Sequence, residues 1–283
     1  MNFVWSGPWV KTIENALYQD IGRGDITTNS IVPAGQKAEA VLVAREDLVV
    51  CGLPVVAEVF SLLDSRIRML PETADGGGVR AGNVICTISG PARGILTGER
   101  VALNFFQNLS AVATLTRRFV EQVAGTNAQI VDTRKTTPGL RQLQKYAVRI
   151  GGGRNHRMGL DDGVLIKENH IALAGSVTEA IKRVEESVSH LHRIQIECET
   201  LDQVREALNA GAQAILLDNM PLDTMRRAVD IAGGKALLEA SGTITLENVR
   251  SVAETGVDLI SVGAITHSAG SKDVSLLVKI ARS

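Results

Sequence analysis

The sequence predicts an α/β protein, with a TIM-like parallel barrel in its second half and a separate α+β domain before it. Two observations predict the barrel. From about residue 130, six short aliphatic runs each end abruptly in polar residues, and the segments between the later runs have helical periodicity with proper caps. A third marks the other domain: the first hundred residues show no such alternation. Strand–helix–strand repeats with short links imply right-handed crossovers and a parallel sheet. Six strands favour a barrel over a flat doubly wound sheet, while periodicity alone leaves its closure open.

The elements follow in order. A helix is expected from near Pro8, a residue suited to a first helical turn, to about Gln19. Lys37–Arg45 is extended, Leu53–Leu63 helical, and Arg66–Leu70 and Val84–Ile88 flank a glycine-rich turn at Asp75–Gly78. A long amphipathic stretch, Thr97–Val123, links the two halves. The barrel strands are Gln129–Val131, Val164–Ile166, Ile194–Ile196, Ala214–Leu217, Ala236–Leu238 and Leu259–Val262. Ser176 starts one intervening helix. Thr200, with Gln203 three places on, caps a second that Gly211 closes, and Thr245 caps a third that stops at Gly256.

Composition narrows the function. The 283 residues carry 30 Lys and Arg against 31 Asp and Glu, which lacks the basic excess of a nucleic-acid binder. Nine aromatic residues are too few for base-stacking platforms. The longest uncharged run, Val101–Thr116, is too short and polar to span a bilayer. Cys51, Cys86 and Cys198 form no CxxC pair, so a reducing, cytoplasmic setting is expected with neither zinc cage nor disulfide. The first eleven residues lack a basic start followed by an apolar run, so no secretory signal is expected.

In a parallel barrel, reactive side chains gather where strands end. Here those ends release Asp132-Thr133-Arg134-Lys135, Lys167-Glu168-Asn169-His170, Glu197, Asp218-Asn219, Glu239 with Ser241-Gly242, and Gly263. Between Asp132 and His170 stand eight basic residues against four acidic ones. Arg141, Lys145 and Arg149, spaced by four, read as a solvated helix face. Arg134, Lys135, Arg157 and Lys167, at strand ends or beside Gly151-Gly152-Gly153, read as an anion site, because guanidinium forks grip carboxylates and phosphates bidentately. Ser241-Gly242 and Gly263 follow the last two strands, where barrels often hold a phosphate on backbone N–H groups. Glu197 and Asp218 suit Mg²⁺ held jointly with substrate phosphates, and equally suit salt bridges to nearby Lys or Arg. His156 can donate a hydrogen bond or act as an acid–base. His190 and His192 read as surface.

At these residues the chain resembles the quinolinate phosphoribosyltransferase family, also called nicotinate-nucleotide pyrophosphorylase (carboxylating). The likeness is carried by Asp132–Arg141, Lys145–Val148, Gly151–Arg157, Leu165–His170, Leu217–Met220, Leu238–Gly242 and Ile260–Ala264, with Asp20–Thr28 and Thr97–Asn104 earlier. It implies an N-terminal α/β sandwich at 1–108, an open α/β barrel at 109–270, and residues 271–283 returning to the sandwich. It implies transfer of phosphoribosyl from 5-phosphoribosyl-1-pyrophosphate to quinolinate, with loss of CO₂ and pyrophosphate and without an organic cofactor. Quinolinate is expected at Arg134, His156, Arg157 and Lys167, with Arg100 reaching in from the partner of a dimer or hexamer. Lys135 and Lys167 would face the sugar donor, Glu197 and Asp218 its Mg²⁺, and Ser241, Gly242 and Gly263 its 5′-phosphate. The chain departs from the pattern at Thr243, where many relatives have glycine. It departs again at Gln195 and Cys198, where acidic and aliphatic residues are common, and neither of these is expected to touch the chemistry. A molybdenum-transport-associated paralogue, a Schiff-base aldolase using Lys135 or Lys167, and a non-catalytic phosphoribosyl-binding protein are the alternatives.

Overall fold

Local sequence accounts for most of the elements in the computed structural model, which describes residues 9–280. In chain order these are α1 (Trp9–Ile21), α2 (Ile26–Ile31), β1 (Lys37–Ala44), β2 (Leu48–Val49), α3 (Leu53–Leu63), β3 (Arg68–Pro71), β4 (Gly78–Val79), β5 (Val84–Pro91) and α4 (Ala92–Gln122). There follow β6 (Gln129–Val131), α5 (Arg141–Ile150), β7 (Val164–Ile166), α6 (Glu168–Ala174), α7 (Val177–Ser187), β8 (Ile194–Cys198), α8 (Leu201–Asn209) and β9 (Ala214–Asp218). The last are α9 (Leu222–Ala232), β10 (Leu237–Ser241), α10 (Val249–Ala253), β11 (Leu259–Ser261), α11 (Ala264–His267) and β12 (Val274–Ile280). Pro8, the expected start of the first helix, lies outside the described residues.

By its internal contacts the chain forms two units. Of the described residues, the first holds 9–115, 137–151 and 269–280, and the second 116–136 and 152–268. This differs from a division into 1–108 and 109–270, because residues 137–151 belong with the first unit. The reason is side-chain chemistry on α5. Tyr146 donates its hydroxyl to Asp75 at 2.6 Å and meets Trp9 edge-to-face, and Gln144 reaches Asn108. Lys145 is fully buried rather than part of a solvated face, since the covered stripe of α5 runs from Leu143 to Val148 and takes it in.

The first unit is built on an antiparallel sheet in the order β12-β1-β5-β3. β12 pairs along the length of β1, from Ala38 opposite Ile280 to Ala44 opposite Val274. Helix α4 approaches α3 at Gly98, where a Cβ would stand 2.7 Å from Leu63 Cδ1 and 3.0 Å from Phe60 Cε1. The glycine of the Thr-Gly-Glu-Arg motif is therefore a packing requirement.

The second unit is a six-stranded parallel sheet in the order β6-β11-β10-β9-β8-β7. Strands β7 to β11 follow one another without reversal, and β6 then lies beside β11. That wrapped order belongs to a barrel rather than to a doubly wound sheet, whose order reverses partway. Among the described residues no ladder joins β6 to β7, so the barrel-like sheet is open there. Ser176 caps α7 by accepting from Glu179 N, and Thr200 with Gln203 forms a capping box on α8. Thr245 does not cap a helix. Its N–H donates to Asn248 Oδ1 in a turn, whose Nδ2 holds the Thr243 carbonyl, so α10 begins only at Val249.

Candidate active site

Pairing register gives the barrel strands two unlike faces. Ile196, Ile215, Leu217, Leu238, Ala240 and Ile260 are fully or almost fully buried, and they alternate with a second set. That set carries Gln195 and Glu197 on β8, Asp218 on β9, Glu239 and Ser241 on β10, and Ser261 on β11. Residues two apart share a face of a strand. One face is therefore apolar while the other brings carboxylates, amides and hydroxyls together at the strand ends.

Asp132, just past β6, is fully buried and organises the neighbouring loop. One carboxylate oxygen accepts from Asn155 Nδ2 at 2.5 Å and the other from His156 N at 2.8 Å. The His156 ring is then held on both sides. Its Nδ1 accepts the backbone N–H of Arg157 at 2.8 Å, so the neutral ring carries its proton on Nε2, which lies 2.9 Å from Gln195 Oε1. Gln195 Nε2 donates to Glu239 Oε2 at 2.8 Å. Gln195 thus touches a predicted site residue directly, contrary to expectation. The alternation of polar with apolar residues in Ile-Gln-Ile-Glu and Leu-Leu-Glu-Ala-Ser was the signal for it.

Arg157 donates Nη1 to the Gly163 carbonyl at 2.8 Å. Burial first, and then the charge of nearby Arg134, hold its guanidinium below the ordinary arginine range. Two like charges kept close in a half-buried place favour an anion between them. Lys167 Nζ stands 3.3 Å from Glu197 Oε2, so the lysine at the end of β7 and the carboxylate on β8 are ion-paired. Lys167 also leads into α6, where its N–H donates to His170 Nδ1 at 2.9 Å, giving His170 a capping role.

The turn after β10 allows almost no side chain. Gly242 has φ +101°, and a Cβ there would stand 2.0 Å from Asn219 Oδ1. Asn219 adopts a left-handed conformation (φ 52°) with its Nδ2 on Asp218 Oδ2 at 2.8 Å, and Thr243 is left-handed at φ 44°. At Gly263 a Cβ would lie 3.2 Å from both Lys135 Cδ and His267 Nε2. His267, which the sequence reading passed over, therefore stands with Lys135 at the end of β11.

The second unit thus holds Arg134, Lys135, His156, Arg157, Lys167, Glu197, Asp218, Ser241, Gly242 and Gly263 at its strand ends and the loops after them. Arg100 is exposed on α4, in the first unit. Among the described residues no group of three or more His, Cys, Asp or Glu is arranged to hold a metal, and no helix is long and apolar enough to cross a membrane.

A parallel barrel whose strand ends bring cations and two separate carboxylates around glycine turns defines an enzyme for anionic, phosphate-bearing substrates. Comparison with known proteins specifies it. Residues 25–110 match the family model for the quinolinate phosphoribosyl transferase N-terminal domain, and residues 112–277 match that for the C-terminal domain. A probable nicotinate-nucleotide pyrophosphorylase (carboxylating) of Bacillus subtilis is 45% identical over 270 residues, 95% of this chain and 93% of the relative. The nicotinate-nucleotide pyrophosphorylase (carboxylating) of Mycobacterium leprae is 44% identical over 273 residues, 94% of this chain and 95% of its own. The crystal structure of the nicotinate-nucleotide pyrophosphorylase from Ehrlichia chaffeensis superposes with a TM-score of 0.92 at 45% identity, covering 97% of this chain and all of that one. The chain belongs to the quinolinate phosphoribosyl transferase family. Its reaction is that of a nicotinate-nucleotide pyrophosphorylase (carboxylating), the phosphoribosyltransferase step from quinolinate in NAD biosynthesis.

Proposed function

We propose that this chain joins quinolinate to 5-phosphoribosyl-1-pyrophosphate at the strand-end crown of its second unit. Arg134, Arg157 and Lys167 would bind the two carboxylates, and His156 would be held beside them. The observation that carries this reading is that Arg134, Arg157 and Lys167 lie on the loops beside β6 and β7 of one sheet, with the charge of Arg134 acting on half-buried Arg157. Clamping both carboxylates orients the ring nitrogen toward C1 of the ribose, and positioning of this kind supplies much of an enzyme's acceleration. Cleavage of the C1–pyrophosphate bond builds positive charge on the sugar and negative charge on the leaving group, which Lys135 and Lys167 would balance. Loss of CO₂ from C2 then leaves an electron pair beside the newly cationic ring nitrogen, so the intermediate is partly self-stabilised and takes up a proton at C2.

Ser241, Gly242 and Gly263 would hold the 5′-phosphate on backbone N–H groups, since they stand at the ends of β10 and β11 where barrels often bind one. Glu197 and Asp218 fit Mg²⁺ brought in with the sugar donor. They are two carboxylates on neighbouring strands, and Mg²⁺ is usually bound through one or two carboxylates together with substrate phosphates. When bound, the ion would neutralise charge on the departing pyrophosphate. Arg100, exposed on α4, would serve the site of a partner subunit in a dimer or hexamer, and the cell compartment would be the cytoplasm.

The test is an assay of quinolinate, the sugar donor and Mg²⁺, with nicotinate mononucleotide detected by mass. Product is expected. No product, or faster reaction with nicotinate than with quinolinate, overturns the reading.

A further inference from the structure

We propose that Gln195, oriented by Glu239, is a positioning residue that fixes the ring of His156 and, through it, the backbone of Arg157. The inference deepens the proposed diacid site and rests on that reading for its kinetic arm alone.

Three hydrogen bonds run in one direction. Arg157 N–H donates to His156 Nδ1 at 2.8 Å, His156 Nε2 meets Gln195 Oε1 at 2.9 Å, and Gln195 Nε2 donates to Glu239 Oε2 at 2.8 Å. Glu239 Oε2 accepts from Gln195 Nε2, so Glu239 sets which end of the Gln195 amide faces it. The amide oxygen must then face His156, whose Nε2 must donate, and Nδ1 is left as the acceptor for Arg157. Reversing the amide would aim an N–H₂ group at Nε2 while a backbone N–H still faced Nδ1. A neutral imidazole offers only one acceptor nitrogen, so that arrangement fails.

Burial makes the direction matter. Glu239 is 1% exposed and Gln195 8%, and in such surroundings an unmade hydrogen bond costs far more than in water. Among the described residues, the other Glu239 oxygen, Oε1, is buried without a hydrogen-bond partner. His156 Nε2 lies 3.6 Å from Glu239 Oε2. Gln195 stands between them as a neutral relay. It ties β8 to the loop that carries Arg157, so an error in the amide propagates to the guanidinium.

The experiment has two arms. Nitrogen-15 histidine spectra of the full-length protein, assigned with His156→Asn, should show His156 with its proton on Nε2 in the wild type. Both Gln195→Leu and Glu239→Gln should keep that tautomer, since Arg157 N–H still faces Nδ1, while the His156 Nε2 signal shifts and its proton exchanges faster with solvent. In steady-state kinetics, Gln195→Leu should raise KM for quinolinate by roughly 10–100-fold with kcat changed less than about threefold, the pattern of lost binding rather than lost folded enzyme. Gln195→Glu, which can share one proton with Glu239 and still accept from His156, should recover most of that affinity. Should Gln195→Leu fail to fold, Glu239→Gln and Gln195→Glu carry both arms.

A His156 Nε2 signal and proton-exchange rate unchanged in Gln195→Leu and Glu239→Gln overturn the proposal. So does a fall in kcat with KM unmoved, or a Gln195→Glu enzyme as impaired as Gln195→Leu. Absence of any wild-type turnover would instead sink the proposed reaction, and the spectra would still decide the role of Gln195.

Discussion

Lys167 Nζ lies 3.3 Å from Glu197 Oε2, joining the ends of β7 and β8 through two groups that the proposed reaction gives to different ligands. The pair is half in solvent on the lysine side, so it contributes only about 0–1 kcal/mol to stability. Glu197→Gln should therefore leave the melting temperature nearly unchanged. The same variant should lower kcat/KM for the sugar donor by roughly 100-fold, the size expected when a charged partner at a reacting centre is removed. Thermal unfolding and steady-state rates, measured side by side, check both halves.

Arg134→Ala removes a guanidinium whose charge acts on Arg157. Loss of such a charged anchor costs about 2–5 kcal/mol, so turnover should fall by at least about 30-fold with the far-ultraviolet circular dichroism intact. Quinolinate should also cease to raise the melting temperature of this variant, because a ligand stabilises only the state it binds. Unchanged rates would remove Arg134 from the site.

Gly242→Ala places a methyl group 2.0 Å from Asn219 Oδ1 in a left-handed conformation that alanine disfavours. A destabilisation of about 1–3 kcal/mol is expected, together with a raised KM for the sugar donor. Thr243→Gly acts the other way, since it relieves a left-handed threonine at φ 44°, and should stabilise by up to about 1 kcal/mol. Denaturant melts of the two variants test this opposition.

The thiols give a pH test. Burial, above all, pushes Cys86 up to about 11 and Cys198 up to about 12, and it raises Cys51 strongly as well. At neutral pH all three remain thiols, so a thiol reagent should react only at the rate of unfolding. The unfolded chain loses these protons from near pH 9 while the folded chain keeps them, so it binds fewer protons above that point. This contribution to stability is complete below about pH 9 and is lost as pH rises toward 11–12. Denaturant midpoints measured between pH 8 and 11 should fall accordingly.

The sequence by itself determined which segments of the second unit are strands and where their polar ends fall, because alternation, capping residues and breakers act over a few residues. Ser176 and Thr200 cap the helices that their neighbours announce, and Leu53–Leu63 is helical from end to end. The placement of Arg134, Lys135 and Lys167 just past β6 and β7 was legible for the same reason: a parallel strand delivers whatever follows it to one rim. Tertiary structure alone decided that Lys145 is buried, that α5 belongs with the first unit, and that Asn248 rather than Thr245 precedes α10. It alone joined Gln195 to His156 and Glu239, residues 39 and 44 positions away in the chain. Those outcomes depend on which distant groups share a desolvated space, and a hydrogen bond between strands leaves no trace in the spacing along either one.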